Sequence, residues 1–256
     1  MVSMPAFMFR RRPGTALAFV LLLLVGRSVA QDVQSAPTAA PAIAYISPTD
    51  TSLKRFPQNL GKNALGLFTY QNVVPLFIGS TVAASVSPFD DDLKDSIGKN
   101  GESSTIGKIG SVIGGPAVVI PTVTGLLIGG HYSTNIRFRL FTYNLAQATA
   151  LNEALVQSLK AAVGRTRPDG SDNRSFPSGH ASTSFMIATV VHRSYGRTAG
   201  IVGYSAATFI AFSRMRENKH WASDLAAGAT LGYIVGSSVS RRNGLSVRVG
   251  KITLVP

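Results

Sequence analysis

The chain has 256 residues, 45% of them hydrophobic and 14% charged, with a formal charge of +13 and no cysteine. That length suits one domain behind a targeting segment, and the missing cysteine excludes disulfide staples, thiolate metal sites and a cysteine nucleophile. The basic balance favours anionic partners, yet no Lys/Arg run stands beside stacked aromatics after residue 30, which argues against nucleic acid.

Residues 1–30 read as a secretory signal. Arg10, Arg11 and Arg12 form the charged start, residues 16–25 the apolar middle, and Ser28-Val29-Ala30 a small-residue cleavage site. Residues 31–58, rich in Pro, Ala, Ser and Thr, read as an extended linker. The stretch 59–86 has no charge after Lys62 and reads as a helix kinked at Pro75 and Gly79. Residues 89–101 read as an acidic, then polar loop, with Asp90, Asp91 and Asp92 solvated. Residues 109–130 are again uncharged but interrupted by Pro116, Pro121 and glycines, as in a membrane span or a buried, broken helix. Both uncharged stretches reach the ~20 residues of a bilayer crossing.

A long amphipathic helix is expected over 137–163. Leu140, Tyr143, Leu151, Leu155 and Leu159 recur at helical spacing. Asn144, Gln147, Asn152, Glu153 and Gln157 give it a wet or hydrogen-bonded side. Gly164 ends it, and a polar loop covers 165–177. Ser178 is placed to cap the next helix, 178–194. A small-residue helix over 198–212 and a basic loop over 214–219 follow. The last helix is expected over 220–240, where Ala226, Ala227, Gly228, Gly232 and Gly236 permit close helix approach. Residues 245–249 and 251–255 alternate like a hairpin around Gly250. The expectation is an all-α bundle of about six helices over 59–240, with a tail from 241 to 256.

Three blocks in the second half carry chemistry. In the first, Lys160 lies near a helix end and Arg167 follows in the loop; an ammonium and a planar guanidinium fork both suit phosphate oxygens. In the second, Pro177-Ser178-Gly179-His180 opens a helix. Its free N–H groups attract an anion, Gly179 admits an oxygen to the backbone, the Ser178 hydroxyl adds a donor, and His180 can protonate a leaving oxygen. In the third, His220 and Asp224 are four apart on one helix face. Asp224 can take the imidazole Nδ1–H and turn Nε2 outward as a nucleophile, and Arg214 can reach the same anion. Metal ligation by His220 and Asp224 is the rival reading, opposed by the cations around them. Trp221 and Phe176 read as core packing, and His131 and His192 as structural.

These blocks together resemble the type 2 phosphatidic acid phosphatase (PAP2) superfamily, whose site is shared with vanadium haloperoxidases. Its pattern is Lys, six residues, Arg-Pro; then Pro-Ser-Gly-His; then Ser-Arg, five residues, His, three residues, Asp. Here that is Lys160 with Arg167-Pro168, Pro177 to His180, and Ser213-Arg214 with His220 and Asp224. The resemblance implies an all-α core, no required metal or other cofactor, and inhibition by vanadate. It also implies that His220 is the nucleophile and His180 the general acid and base. SFPSGHAS and HWASDLAAG are similar to the lipid-phosphatase branch, implying a phosphorylated lipid or small phosphate ester as partner. A soluble-monoester phosphatase, vanadate-dependent halide oxidation and a non-catalytic anion- or lipid-binding protein remain as alternatives.

Overall fold

Helix follows helix along the chain, with breaks where glycine, proline or an extended residue interrupts. The computed structural model describes residues 42–43, 51–98, 105–243, 247–249 and 252–254. The expected signal over 1–30 and most of the expected linker lie outside the described residues. A helical turn at Leu53–Arg55 and helix α1, Phe56–Gly66, already occupy the end of that linker. Helices α2, Val73–Val86, and α3, Asp90–Ile97, come next. Then follow α4, Thr105–Ile113; α5, Pro116–Tyr132; and α6, Ile136–Val163. Helices α7, Gly179–Tyr195; α8, Arg197–Arg216; and α9, Ala222–Arg242, complete the bundle.

Three elements depart from the sequence reading. The stretch 59–86 is two helices rather than one kinked helix. The chain turns at 67–72, where the Asn72 amide donates to the Leu67 carbonyl (2.9 Å). Pro75 then falls in the first turn of α2, where its missing N–H costs no intrahelical bond. The loop expected over 89–101 is partly α3, because three aspartates in a first turn complement the helix dipole. Stretch 109–130 breaks at Gly114-Gly115, with Gly115 extended and Pro116 opening α5, which runs on through Pro121.

Helix α6 has caps at both ends. Asn135 accepts from Phe138 N (3.1 Å), and Gly164 closes the far end at φ +60°. Asn144, Gln147 and Asn152 on its polar side are buried, while Gln157 is exposed. The Asn152 amide donates to Thr183 Oγ1 (3.2 Å) and accepts from Ser182 Oγ (2.6 Å), tying α6 to α7. The apolar core gathers Val119, Leu145, Leu151, Met186, Val190, Val235 and Val239 from α5, α6, α7 and α9.

The tightest contact is α7 against α9. A Cβ on Gly228 would lie 2.5 Å from the Ser178 carbonyl oxygen, and one on Gly232 only 2.1 Å from that of Ser182. This stripe therefore sets how near α7 and α9 approach, and both helices begin at the same end of the bundle. The C-terminal hairpin expected from alternation pairs Val247–Val249 with Ile252–Leu254, antiparallel, and Ala42–Ile43 adds a third strand.

Candidate active site

Two loops meet at one end of the bundle, the first joining α6 to α7 and the second joining α8 to α9. The first folds back on itself through Arg167 N to Asp172 O (3.0 Å) and Ser175 N to Arg165 O (2.9 Å). The second is bound to it. Lys219 Nζ donates to Asp169 Oδ2 (2.6 Å), Arg167 Nη1 to the Lys219 carbonyl (2.9 Å) and Trp221 Nε1 to the Thr166 carbonyl (2.9 Å). This ties Arg167 and His220 side by side, with Arg167 Nη1 3.4 Å from His220 Nε2.

His220 stands in the loop, ahead of α9, rather than on the helix as expected. Its Nδ1 is 2.7 Å from the Ser175 carbonyl but 3.8 Å from Asp224 Oδ2. The closest acceptor is therefore Ser175 and not Asp224. A carbonyl only accepts, so Nδ1 carries the proton and Nε2 keeps its lone pair. Asp224 works at one remove. Its carboxylate accepts from Ser175 Oγ (2.5 Å), Trp221 N (3.0 Å) and Arg165 Nη1 (2.8 Å), holding the segment that holds the imidazole. The shift follows from the helix start: with Trp221 as the N-cap, Asp224 sits in the first turn and closes that cap.

A cavity of about 250 Å³ opens at this end. Lys160, Arg167, Gly179, His180, Arg214 and His220 all line it. Lys160 Nζ donates to the Arg174 carbonyl, and Arg214 Nη1 pairs with Glu217 (2.9 Å). Arg214 Nε is buried without a hydrogen-bond partner. Ser178 and Asp224 are fully buried and do not line the cavity. The Ser178 hydroxyl accepts from Ala181 N (3.4 Å) as the helix cap, which places it away from the anion locus expected for it. Gly179 faces Lys160: a Cβ there would sit 3.9 Å from Lys160 Cε.

Burial pushes both imidazoles down to about 4, aided at His180 by Arg214 and at His220 by Lys160 and Arg167. Both are therefore neutral in the empty site at neutral pH. Burial, followed by the charge on Arg167, lowers Lys160 to about 8. His180 Nε2 is 3.1 Å from the Ser111 carbonyl, so Nε2 carries the proton and donates to that oxygen. The Gly114-Gly115 break brings this part of the chain over the ring; a Cβ on Gly114 would be 3.1 Å from His180 Cδ2.

Four contributors escaped the sequence reading. Arg165 bridges Asp224 (Oδ1, 2.8 Å) and Asp90 (Oδ2, 2.8 Å) while lying 5.3 Å over the Trp221 ring. Asp90, expected to be solvated, is buried and also accepts from Ser223 N (3.0 Å); Asp91 and Asp92 are exposed. Ser175 and the Ser111 carbonyl complete the set. Arg165 lies two residues before Arg167, but its partner Asp90 is 75 residues away and no local spacing points to it. Trp221 stacks beneath Arg165 outside the cavity, and Phe176, His131 and His192 do not line it.

Residues 141–244 match the model of the PAP2 superfamily. A lipid A 1-phosphatase of Porphyromonas gingivalis is 43% identical over 94 residues, covering 36% of this chain. The match spans 21% of that relative's length. Two crystal structures share the fold. One is LpxE of Aquifex aeolicus (24% identity, TM-score 0.50, 60% of this chain and 95% of the other). The second is a transmembrane PAP2-type phosphatidylglycerolphosphate phosphatase of Bacillus subtilis (18% identity, TM-score 0.54, 67% and 94%).

Proposed function

From the premise that residues 141–244 belong to the PAP2 superfamily, we propose that this protein is a phosphatase of membrane lipids working through a phosphohistidine intermediate. The observation that carries the reading is the cavity, where two imidazoles, one with an unprotonated Nε2, share a wall with three cations. Phosphate enters among Lys160, Arg167 and Arg214, and supplies the acceptor that the buried Arg214 Nε lacks. His220 Nε2 attacks phosphorus. The P–O bond to the lipid breaks, and His180, made an imidazolium by the proton that the substrate monoanion brings, gives its Nε2 proton to the departing oxygen once that nitrogen leaves the Ser111 carbonyl. Water, losing a proton to His180, then cleaves the P–N bond and frees inorganic phosphate. The cations answer the spread of negative charge at the trigonal stage, where they lower the barrier.

Membrane attachment is favoured by the outer surface. The helical stretches Tyr70–Ile97 and Gly107–Tyr132 are 28 and 26 residues long, and only 11% and 22% of their apolar windows are buried. A soluble core helix would hide such a face; here Tyr70 (82% exposed), Phe77 (72%) and Val74 point outward. These side chains suit acyl chains as neighbours. With the export signal expected at the N-terminus, the active site faces away from the cytoplasm.

Detergent-solubilised protein should release phosphate from phosphatidate without added metal. Acid-free quenching during turnover should trap an acid-labile, alkali-stable phosphoramidate. Binding of the ester with neither product nor trapped phosphate would sink the proposal.

The pH profile follows from the lowered imidazoles. His220 must be neutral, so kcat/KM rises through pH ~4. The reaction also needs one proton for the leaving oxygen. His180 loses its own above ~4 in the empty site, so the proton arrives on the substrate monoanion, whose second ionisation lies near pH 6. The expected kcat/KM is bell-shaped, highest between about 4 and 6 and falling about tenfold per unit above. A profile still rising at pH 8 would contradict this assignment.

A further inference from the structure

The bundle end remote from the cavity gathers cations from four helix ends. Arg137 and Arg139 stand at the start of α6, Arg193 at the end of α7, Arg197 at the start of α8, and Arg241 and Arg242 at the end of α9. The chain turns from α7 to α8 at Gly196, so these termini meet. Phe141 packs edge-on against Tyr195 (5.1 Å between ring centroids), and Arg241 is near enough to Arg193 for their charges to repel. Arg241 Nη2 also donates to Asn72 Oδ1 (2.6 Å), just ahead of α2. Every carboxylate among the described residues lies elsewhere: on α3, in the two active-site loops, in the first turn of α9, or at Glu153 beside the cavity.

Like charges held this close oppose folding unless an anion answers them. The surroundings say which anion. Tyr70, Tyr132 and Tyr195 are exposed and sit just ahead of α2 and at the ends of α5 and α7. Tyr195 lies within reach of the Arg137 charge. About one turn inward, on α2, α5 and α8, the surface becomes apolar, with Val74, Phe77, Ile128, Ile201 and Val202 exposed. Apolar side chains, then amphipathic rings, then cations, is the order met on passing from hydrocarbon into a headgroup layer. Guanidinium groups at that depth face lipid phosphates, whose oxygens match the planar fork. A soluble acidic partner would call for the cations but not for the rings and the apolar band behind them.

We infer that this end of the bundle docks on the headgroups of acidic phospholipids, in the leaflet remote from the candidate active site, by charge complementarity with its arginines. The inference rests on the membrane attachment proposed above and not on the phosphatase chemistry. The lipid held here is a docking partner and not the substrate, since the cavity opens at the opposite end.

The test reconstitutes the full chain into phosphatidylcholine vesicles carrying a trace of spin-labelled phosphatidylglycerol or spin-labelled phosphatidylcholine. Electron paramagnetic resonance reads the fraction of each label immobilised by the protein, and their ratio is the preference for acidic lipid. Wild type should prefer phosphatidylglycerol about threefold or more. The combined R193Q/R197Q/R241Q variant should fall close to one. Cations in the catalytic cavity are unchanged by these substitutions, so the difference from wild type belongs to the far end. R137Q/R197Q alters two exposed side chains and should lower the ratio partway; it carries the test if the triple variant fails to fold. Ratios in both variants equal to wild type overturn the inference. A wild-type ratio near one, with capture on heparin, assigns the face to a soluble polyanion and also overturns it, leaving membrane attachment intact. A protein that stays in the aqueous fraction and joins no vesicle removes both the inference and the attachment.

Discussion

His220→Ala is expected to abolish phosphate release, by at least about 10⁴-fold, and to leave no phosphoramidate on quenching. The imidazole is nearly inaccessible yet bears an unprotonated Nε2 beside Arg167, because its proton is on Nδ1, committed to the Ser175 carbonyl. The other imidazole lining the cavity, His180, has its Nε2 turned to the Ser111 carbonyl. The loss should be one of kcat, since Lys160, Arg167 and Arg214 still hold the anion. Vanadate protection against heat should persist for the same reason. A His220→Ala protein that turned over at a tenth of the wild-type rate would place the nucleophile elsewhere. His180→Ala should lose less, about 10²- to 10⁴-fold, because a substrate monoanion or water can replace part of its proton transfer.

Gly232→Val is expected to cost about 3 kcal/mol or more of stability and all activity. The new Cβ would meet the Ser182 carbonyl oxygen at 2.1 Å and the Met186 nitrogen at 2.8 Å, both main-chain atoms of α7 that no rotamer change can move. The helices would have to separate. His180 begins α7 and His220 lies just ahead of α9, so the same displacement parts the two imidazoles. Gly125 lies in α5 with open space around it, so Gly125→Ala is the matched control and should leave the melting temperature within a few degrees. Equal melting temperatures for Gly232→Val and wild type would refute the packing argument.

Much of this was legible in the sequence. The helical spacing of the leucines marked α6, and Ser178 and Gly164 marked helix ends, because caps and periodicity are local properties. The three blocks are neighbours since the loops at one end of the bundle bring consecutive helix termini together. What the sequence did not disclose was of two kinds. The start of α9 fell after His220, and that small displacement moved the closest acceptor for Nδ1 from Asp224 to Ser175. The ion pair of Arg165 with Asp90 joins helix and loop across a long separation, where no pattern of period 3.6 or 2 can announce a partner. Stretch 109–130 was read as broken, and Gly114-Gly115 is the break. Its service to His180, through the Ser111 carbonyl, is a tertiary fact.

The bridge from Arg165 to Asp90 bears on how the chain can be divided. Every residue of the three motifs lies after position 159, and a fragment restricted to 141–244 would retain them all. It would nevertheless lack Asp90, which anchors Arg165 and Ser223 from the other side, and Ser111, on which His180 rests. The motif-bearing half thus depends on Asp90 and Ser111 for alignment, and the described helices that carry them are a scaffold of the candidate site.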